Sequence, residues 1–217
     1  MFETSLTTAD MLFLAKGAGV TILVTAISVV LGTILGIVFG VFRQQAGPIV
    51  AAPLTFVLDI FRSIPLLIQL VLANAFMGMV LRLQLSGFTI ACGVLTLYTS
   101  AYCAEIVRGG IDAVPLTTRR AARSLGMTWL QDMRHIVMPL ATRVALPSWI
   151  GLALGVMKDS ALVFIVQVTE LLKSTQILIV RLNEPLFLLM ICGAFYFVIS
   201  FPLARFGGYL EKRWSND

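Results

Sequence analysis

The sequence predicts an all-α integral membrane protein of five transmembrane helices, with a pair of short helices set into the loop between the third and the fourth. Three observations carry this. Of 217 residues, 59% are hydrophobic and only 12% charged, and the mean hydropathy is +0.95, far outside the soluble range. Long runs without charge recur along the chain, while an Arg-rich insert over residues 101–139 is punctuated by Pro and Gly. A span takes about 20 apolar residues, so roughly five spans and one loop exhaust the length and leave no room for a separate enzymatic domain.

The elements follow in order. Residues 1–16 are expected to form an external segment, 17–210 the membrane domain and 211–217 a tail. The first span, residues 17–42, holds no charge and would be roughly 39 Å long as a helix. The N-terminus lacks the basic region, short apolar core and cleavage site of a signal peptide, so this span is expected to be permanent. Gly32, Gly36 and Gly40 recur every four residues, which suits close helix packing inside the bundle. The second stretch runs from Pro53 to about Leu81, interrupted by Asp59 and Arg62. The third is 83–104, the fourth 144–169, interrupted by Lys158 and Asp159, and the fifth 185–204.

Basic residues orient these spans. One set of surfaces carries Arg43, Arg108, Arg119, Arg120, Arg123, Arg134, Arg143, Arg205, Lys212 and Arg213, and the opposite set only Lys16, Arg82, Lys173 and Arg181. That excess predicts a cytoplasmic central loop and C-terminus and an external N-terminus. The net charge of +5 is thus a topology signal, and no nucleic-acid partner is expected. Cys92, Cys103 and Cys192 lie in apolar runs without metal or disulfide spacing, and His135 has no ligand partner at helical spacing, so no metal is expected. No Walker A loop, G-x-S-x-G or H-E-x-x-H occurs, so no catalytic residue is assigned and nucleotide hydrolysis belongs to another polypeptide.

The loop, about 109–138, carries helix punctuation. Pro115 stops the third span, Thr117 or Thr118 is expected to cap a new helix, and Gly126 to end it. Thr128 with Gln131 has capping-box spacing and starts a second helix toward Pro139. On the first helix Ala121, Ala122 and Leu125 make a small apolar face beside Arg119, Arg120 and Arg123, suited either to a protein groove or to lipid headgroups.

Charges within spans are site candidates, since each costs a few kcal/mol or more unless it faces an interior, water or an opposite charge. Asp59, Arg62, Leu66 and Gln69 fall within about an 80° arc, so Asp59 and Arg62 either pair or line a pathway. Tyr98, Tyr102 and Glu105 share a face, and Glu105 with Arg108 can pair at the membrane boundary. Lys158 and Asp159 point about 100° apart and cannot both face lipid cheaply.

Four ordered blocks resemble the polar-amino-acid branch of ABC importer permeases. F-R-S-I-P-L-L-I-Q-L (61–70), A-Y-C-A-E-I-V-R-G-G-I (101–111) and K-D-S-A-L (158–162) are similar to family segments. The spacing of Ala121-Ala122, Gly126 and Ile136-x-Met138-Pro139 resembles the family's cytoplasmic EAA loop. The resemblance implies a type I importer permease fold in a bacterial cytoplasmic membrane. It also implies a translocation subunit for polar or charged amino acids, with no cofactor of its own. Its partners would be two ATP-binding subunits holding ATP and Mg, a second permease, identical or related, and an external solute-binding protein. Arg119, Arg120, Ala121, Ala122, Arg123, Leu125 and Gly126 would then couple to the ATPase. Arg62, Gln69, Lys158 and Asp159 would line the substrate pathway, with Asp59, Glu105 and Arg108 forming an ion network. The chain departs from the pattern at Arg120, where the family has glutamate, at Thr117-Thr118 for Gly-Gln and at Pro139-Leu140-Ala141 for Pro-Gln-Ala. The first departure reverses a charge, so the docking contact is either altered or supplied by the second permease. A secondary transporter or channel is the alternative, and it should show inverted repeats, of which none is apparent. An intramembrane enzyme is the third reading.

Overall fold

A computed structural model of the chain describes residues 6–215, and every regular element among them is helical. They are α1 Thr8–Gln45, α2 Pro48–Ser63, α3 Leu66–Ala75 with a π turn Phe76–Val80, α4 Gly87–Asp112, α5 Leu116–Ser124 and α6 Trp129–Asp132. A π turn Met133–Val137 leads into α7 Met138–Asp159. A 3-10 segment Ser160–Val166, α8 Leu171–Leu182 and α9 Pro185–Ser215 complete the chain. Among the described residues four stretches, Thr8–Gln45, Gly87–Asp112, Trp129–Val166 and Pro185–Trp214, are long and apolar enough to cross a membrane, and α2 with α3 and its π turn is a sharply bent apolar pair that makes a fifth when counted as one broken span.

The spans are longer than their apolar runs. Residues 1–5 of the expected external segment lie outside the described residues, and α1 already begins at Thr8. Thr7 and Asp10 cap it reciprocally: Thr7 N donates to Asp10 Oδ2 at 3.0 Å and Asp10 N to Thr7 Oγ1 at 3.4 Å. The second span breaks at Ile64-Pro65 because proline supplies no amide and disfavours helical backbone at the residue before it. The fourth does not start afresh after Pro139. Helix runs through it, and the π turn just upstream accommodates the ring and the missing amide. Its α-helical part ends at Asp159, where the backbone tightens into the 3-10 segment Ser160–Val166, so Lys158 and Asp159 stand at a change of helix type inside one continuous span.

The chain divides into two compact units. The first takes in Met1–Val30, Ile64–Thr96 and Ala153–Leu203. Its core packs Leu14 and Ala18 of α1 with Leu171 and Leu178 of α8 and Leu188 and Cys192 of α9. Glu170, fully buried, caps α8: its carboxylate accepts from Leu172 N and Lys173 N, both at 2.7 Å, and from the Tyr196 hydroxyl at 3.2 Å. Asp10 pairs with Arg181 at the far end of α8.

The second unit takes in Leu31–Ser63, Leu97–Leu152 and Ala204–Asp217. Here α1 lies directly on α4. A Cβ on Gly36 would stand 2.5 Å from the Cβ of Cys103, and one on Gly40 2.8 Å from the Ala104 carbonyl oxygen. Gly36 and Gly40 of the repeat therefore serve packing within the unit. Gly151 and Gly155 meet nothing comparable. One core cluster joins Leu58 of α2 to Ala101 and Ala104 of α4, and another sets Ile111 and Val114 against Met133, Val137 and Ala141, beneath the loop.

Candidate functional site: a pinned loop and an arginine–carboxylate network

Both features of the second unit grow from local sequence. The first is the loop. α5 starts two or three residues earlier than Thr117 or Thr118 would place it. Pro115 takes the cap position with φ −57°, and its carbonyl accepts from Thr118 N at 3.1 Å and Arg119 N at 3.4 Å. The ring supplies helical φ, and its missing amide is no loss at a helix start. At the other end Gly126 has φ +80°, a backbone that only glycine adopts at no cost, while Gly126 N and Met127 N return to the carbonyls of Arg123 and Ala122. Thr128 and Gln131 then form the capping box: Thr128 N donates to Gln131 Oε1 at 2.8 Å and Gln131 N to Thr128 Oγ1 at 3.4 Å.

The loop's charges divide into two kinds. Arg119 turns inward, and its Nε donates to Asp132 Oδ2 at 3.3 Å. Asp132 is 0% exposed, so this pair fastens α5 to α6 at a site where an unpaired carboxylate would cost several kcal/mol. Arg120 and Arg123 stay exposed, with Ala121 beside them. The expected apolar face is split, because Ala122 is buried toward the core while Leu125, 85% exposed, stands outward. Trp129 and Leu130 add to that outward apolar surface. Asp132 carried no sequence signal: its partner lies 13 residues away, and no periodicity links them.

The second feature centres on Glu105 of α4. Its carboxylate takes Arg43 of α1 at 3.0 Å, Arg62 of α2 at 3.3 Å and Arg108 of its own helix. Arg62 also pairs with Asp59 at 3.3 Å and Arg108 with Asp112 at 2.8 Å, while Gln44 donates to Asp112 at 2.8 Å. Three acids face three bases, so the cluster is neutral as a set, which is how charge persists beside a hydrocarbon layer. Tyr102 sits against Arg62, its hydroxyl donating to the Arg62 carbonyl at 3.2 Å and its ring 5.8 Å from the guanidinium carbon. The Asp59–Arg62 and Glu105–Arg108 pairings follow from i,i+3 spacing. Arg43 and Asp112 were missed as members. Asp112 stands at i+4 from Arg108 and was findable, whereas Arg43 pairs across 62 residues.

The remaining candidates lie in the first unit. Gln69 of α3 is buried, and its Nε2 donates to the Ile64 carbonyl at 2.7 Å, satisfying an acceptor freed by the helix break. α3 packs on the 3-10 segment that follows Asp159. Asp159 is half-buried and Lys158 exposed. Gln69, Lys158 and Asp159 thus belong to one unit, while Arg62 belongs to the network of the other. Among the described residues no group of three His, Cys, Asp or Glu could hold a metal ion.

Known proteins resemble this chain along nearly its whole length. It is 29% identical over 217 residues to the "Probable amino-acid ABC transporter permease protein YckA" of Bacillus subtilis, covering 100% of this chain and 95% of that one. It is 32% identical over 216 residues to the arginine transport system permease protein ArgU of Corynebacterium glutamicum, covering 94% and 68%. The fold matches a crystal structure of an amino acid ABC transporter with histidines at TM-score 0.85 and 26% identity, covering 97% of this chain and all of that one. The profile of the family described as binding-protein-dependent transport system inner membrane component matches residues 28–216. The chain belongs to that family and is a multi-pass inner-membrane translocation subunit of an ATP-driven importer.

Proposed function

We propose that this subunit moves polar or charged amino acids inward. The solute is delivered by an external binding protein, and the chain works with a second permease and two ATPase subunits that hold the ATP and Mg. It carries no cofactor and no hydrolytic residue of its own. The central loop and C-terminus face the cytoplasm. The observation that carries this reading is the loop, where Arg119 and Asp132 hold α5 and α6 together so that Leu125, Arg120 and Arg123 point outward as a rigid knob. A rigid apolar surface with flanking cations fits a groove in a protein partner better than a mobile headgroup layer. Gln69, Lys158 and Asp159 line the solute path, with Asp159 receiving an ammonium group and Lys158 a carboxylate.

Gly126→Ile tests the coupling. A β-branched residue resists φ +80°, so the turn between α5 and α6 should be lost. The reconstituted assembly should insert normally yet hydrolyse ATP without solute uptake. Uptake at the normal ratio to hydrolysis would argue against contact through this knob.

A further inference from the structure

We infer that the second unit holds a binding groove for one acyl chain of an anionic phospholipid, in the leaflet on the side of the α5–α6 loop. A cavity of about 220 Å³ opens between α1, α4 and α7, bounded by Ile37, Ile106, Ile111, Met138, Leu146 and Trp149. The lining also includes two hydroxyls and a thiol, and each already bonds within the protein. Trp149 Nε1 donates to Thr33 Oγ1 at 2.8 Å, Thr142 Oγ1 to the Met138 carbonyl at 2.7 Å and Cys103 Sγ to the Thr33 carbonyl at 3.9 Å. The few polar atoms in these walls are thus already engaged within the protein and the rest of the lining is carbon, and an apolar space of this size does not hold water. Hydrocarbon is the remaining occupant.

Length and charge choose the kind. Met138 to Trp149 spans about 16 Å of helix, close to half the roughly 30 Å hydrocarbon core, so the groove is as deep as one leaflet. Its shallow end lies at the loop, where exposed Arg134 stands one turn before Met138 and exposed Arg143 follows Thr142. Moving a chain from bulk lipid into an apolar groove brings little hydrophobic gain, so the headgroup decides which lipid stays.

The full chain carrying Trp129→Phe and Trp214→Phe leaves Trp149 as its tryptophan. In phosphatidylcholine vesicles containing a low fraction of lipid with brominated chains, Trp149 should be quenched as though brominated phosphatidylglycerol were enriched about fivefold over brominated phosphatidylcholine. Arg134→Gln with Arg143→Gln, both at exposed positions, should equalise the two lipids. Thr142→Phe, which fills the groove, should weaken quenching by both. Equal quenching before any Arg change, or quenching that Thr142→Phe leaves intact, would overturn the site. So would a Trp149 that neither lipid quenches, which would mean that a second copy of the chain covers the groove.

Discussion

Two arginines one residue apart serve different ends. Removing Arg119 strands a buried carboxylate, so Arg119→Ala should cost about 3–5 kcal/mol of stability, read as a lowered unfolding midpoint in detergent. Arg120→Ala should leave that midpoint within about 0.5 kcal/mol of wild type and change only solute-stimulated ATP hydrolysis. A shared loss of stability would mean that Arg120 too is structural. Asp159 has two readings that a mutant cycle separates. As a solute ligand, Asp159→Asn should weaken the solute response by roughly 1.5 to 3 kcal/mol with assembly intact. As the counter-charge of Lys158, it should instead lower expression, and adding Lys158→Met should restore both expression and response. The sequence showed at this scale what short helical spacing encodes. Asp59 with Arg62 and Glu105 with Arg108 were legible, whereas the roles of Arg43 and Asp132 depend on tertiary pairing, which no local pattern records.

Helix ends, more than helix bodies, separate expectation from structure. The capping box at Thr128 and the glycine stop at Gly126 were readable because their chemistry is contained in a few adjacent residues. Pro115 took the start of α5 from the threonines since a proline at a helix start is already set for it, and Pro139 failed to stop its helix because a π turn absorbed it. The cap of α8 was not foreseen. Glu170→Ala should cost about 1 to 2 kcal/mol through loss of the cap, measurable by thermal unfolding. Burial pushes the Glu170 carboxyl above its ordinary value, against the pull of the Leu172 and Lys173 amides and the Tyr196 and Thr21 hydroxyls. A carboxyl so raised binds protons on folding. Its contribution is fullest below the ordinary glutamate range and is lost as pH rises through the raised value. Stability should therefore fall with pH just above that range, and Glu170→Gln should flatten the slope.

For the whole molecule, apolar length and charge placement settled the class, since the cost of burying charge in hydrocarbon leaves few alternatives. What they could not supply was the division into two units or the membership of each side chain in one of them. The proposed orientation has a direct check. A cysteine in place of the exposed Leu125 should resist an impermeant reagent added outside intact cells and react once the membrane is opened, and labelling from outside would reverse the topology. The Glu105 network also has a consequence for synthesis. Arg43 and Arg62 leave the ribosome before the acid that joins them, and the 62 residues between Arg43 and Glu105 take about 3 to 12 s to translate. During that wait Arg43 is an unneutralised cation that acts as a topogenic signal, holding the α1–α2 connection on the side proposed to be cytoplasmic, whereas Arg62 already has Asp59 three residues before it. When α4 arrives, the same residues become its ligands. A chain with Glu105→Gln should thus insert with correct topology and fail afterward, at assembly of α1, α2 and α4, a biogenesis defect that a pulse-chase protease-protection experiment would date to a step after insertion.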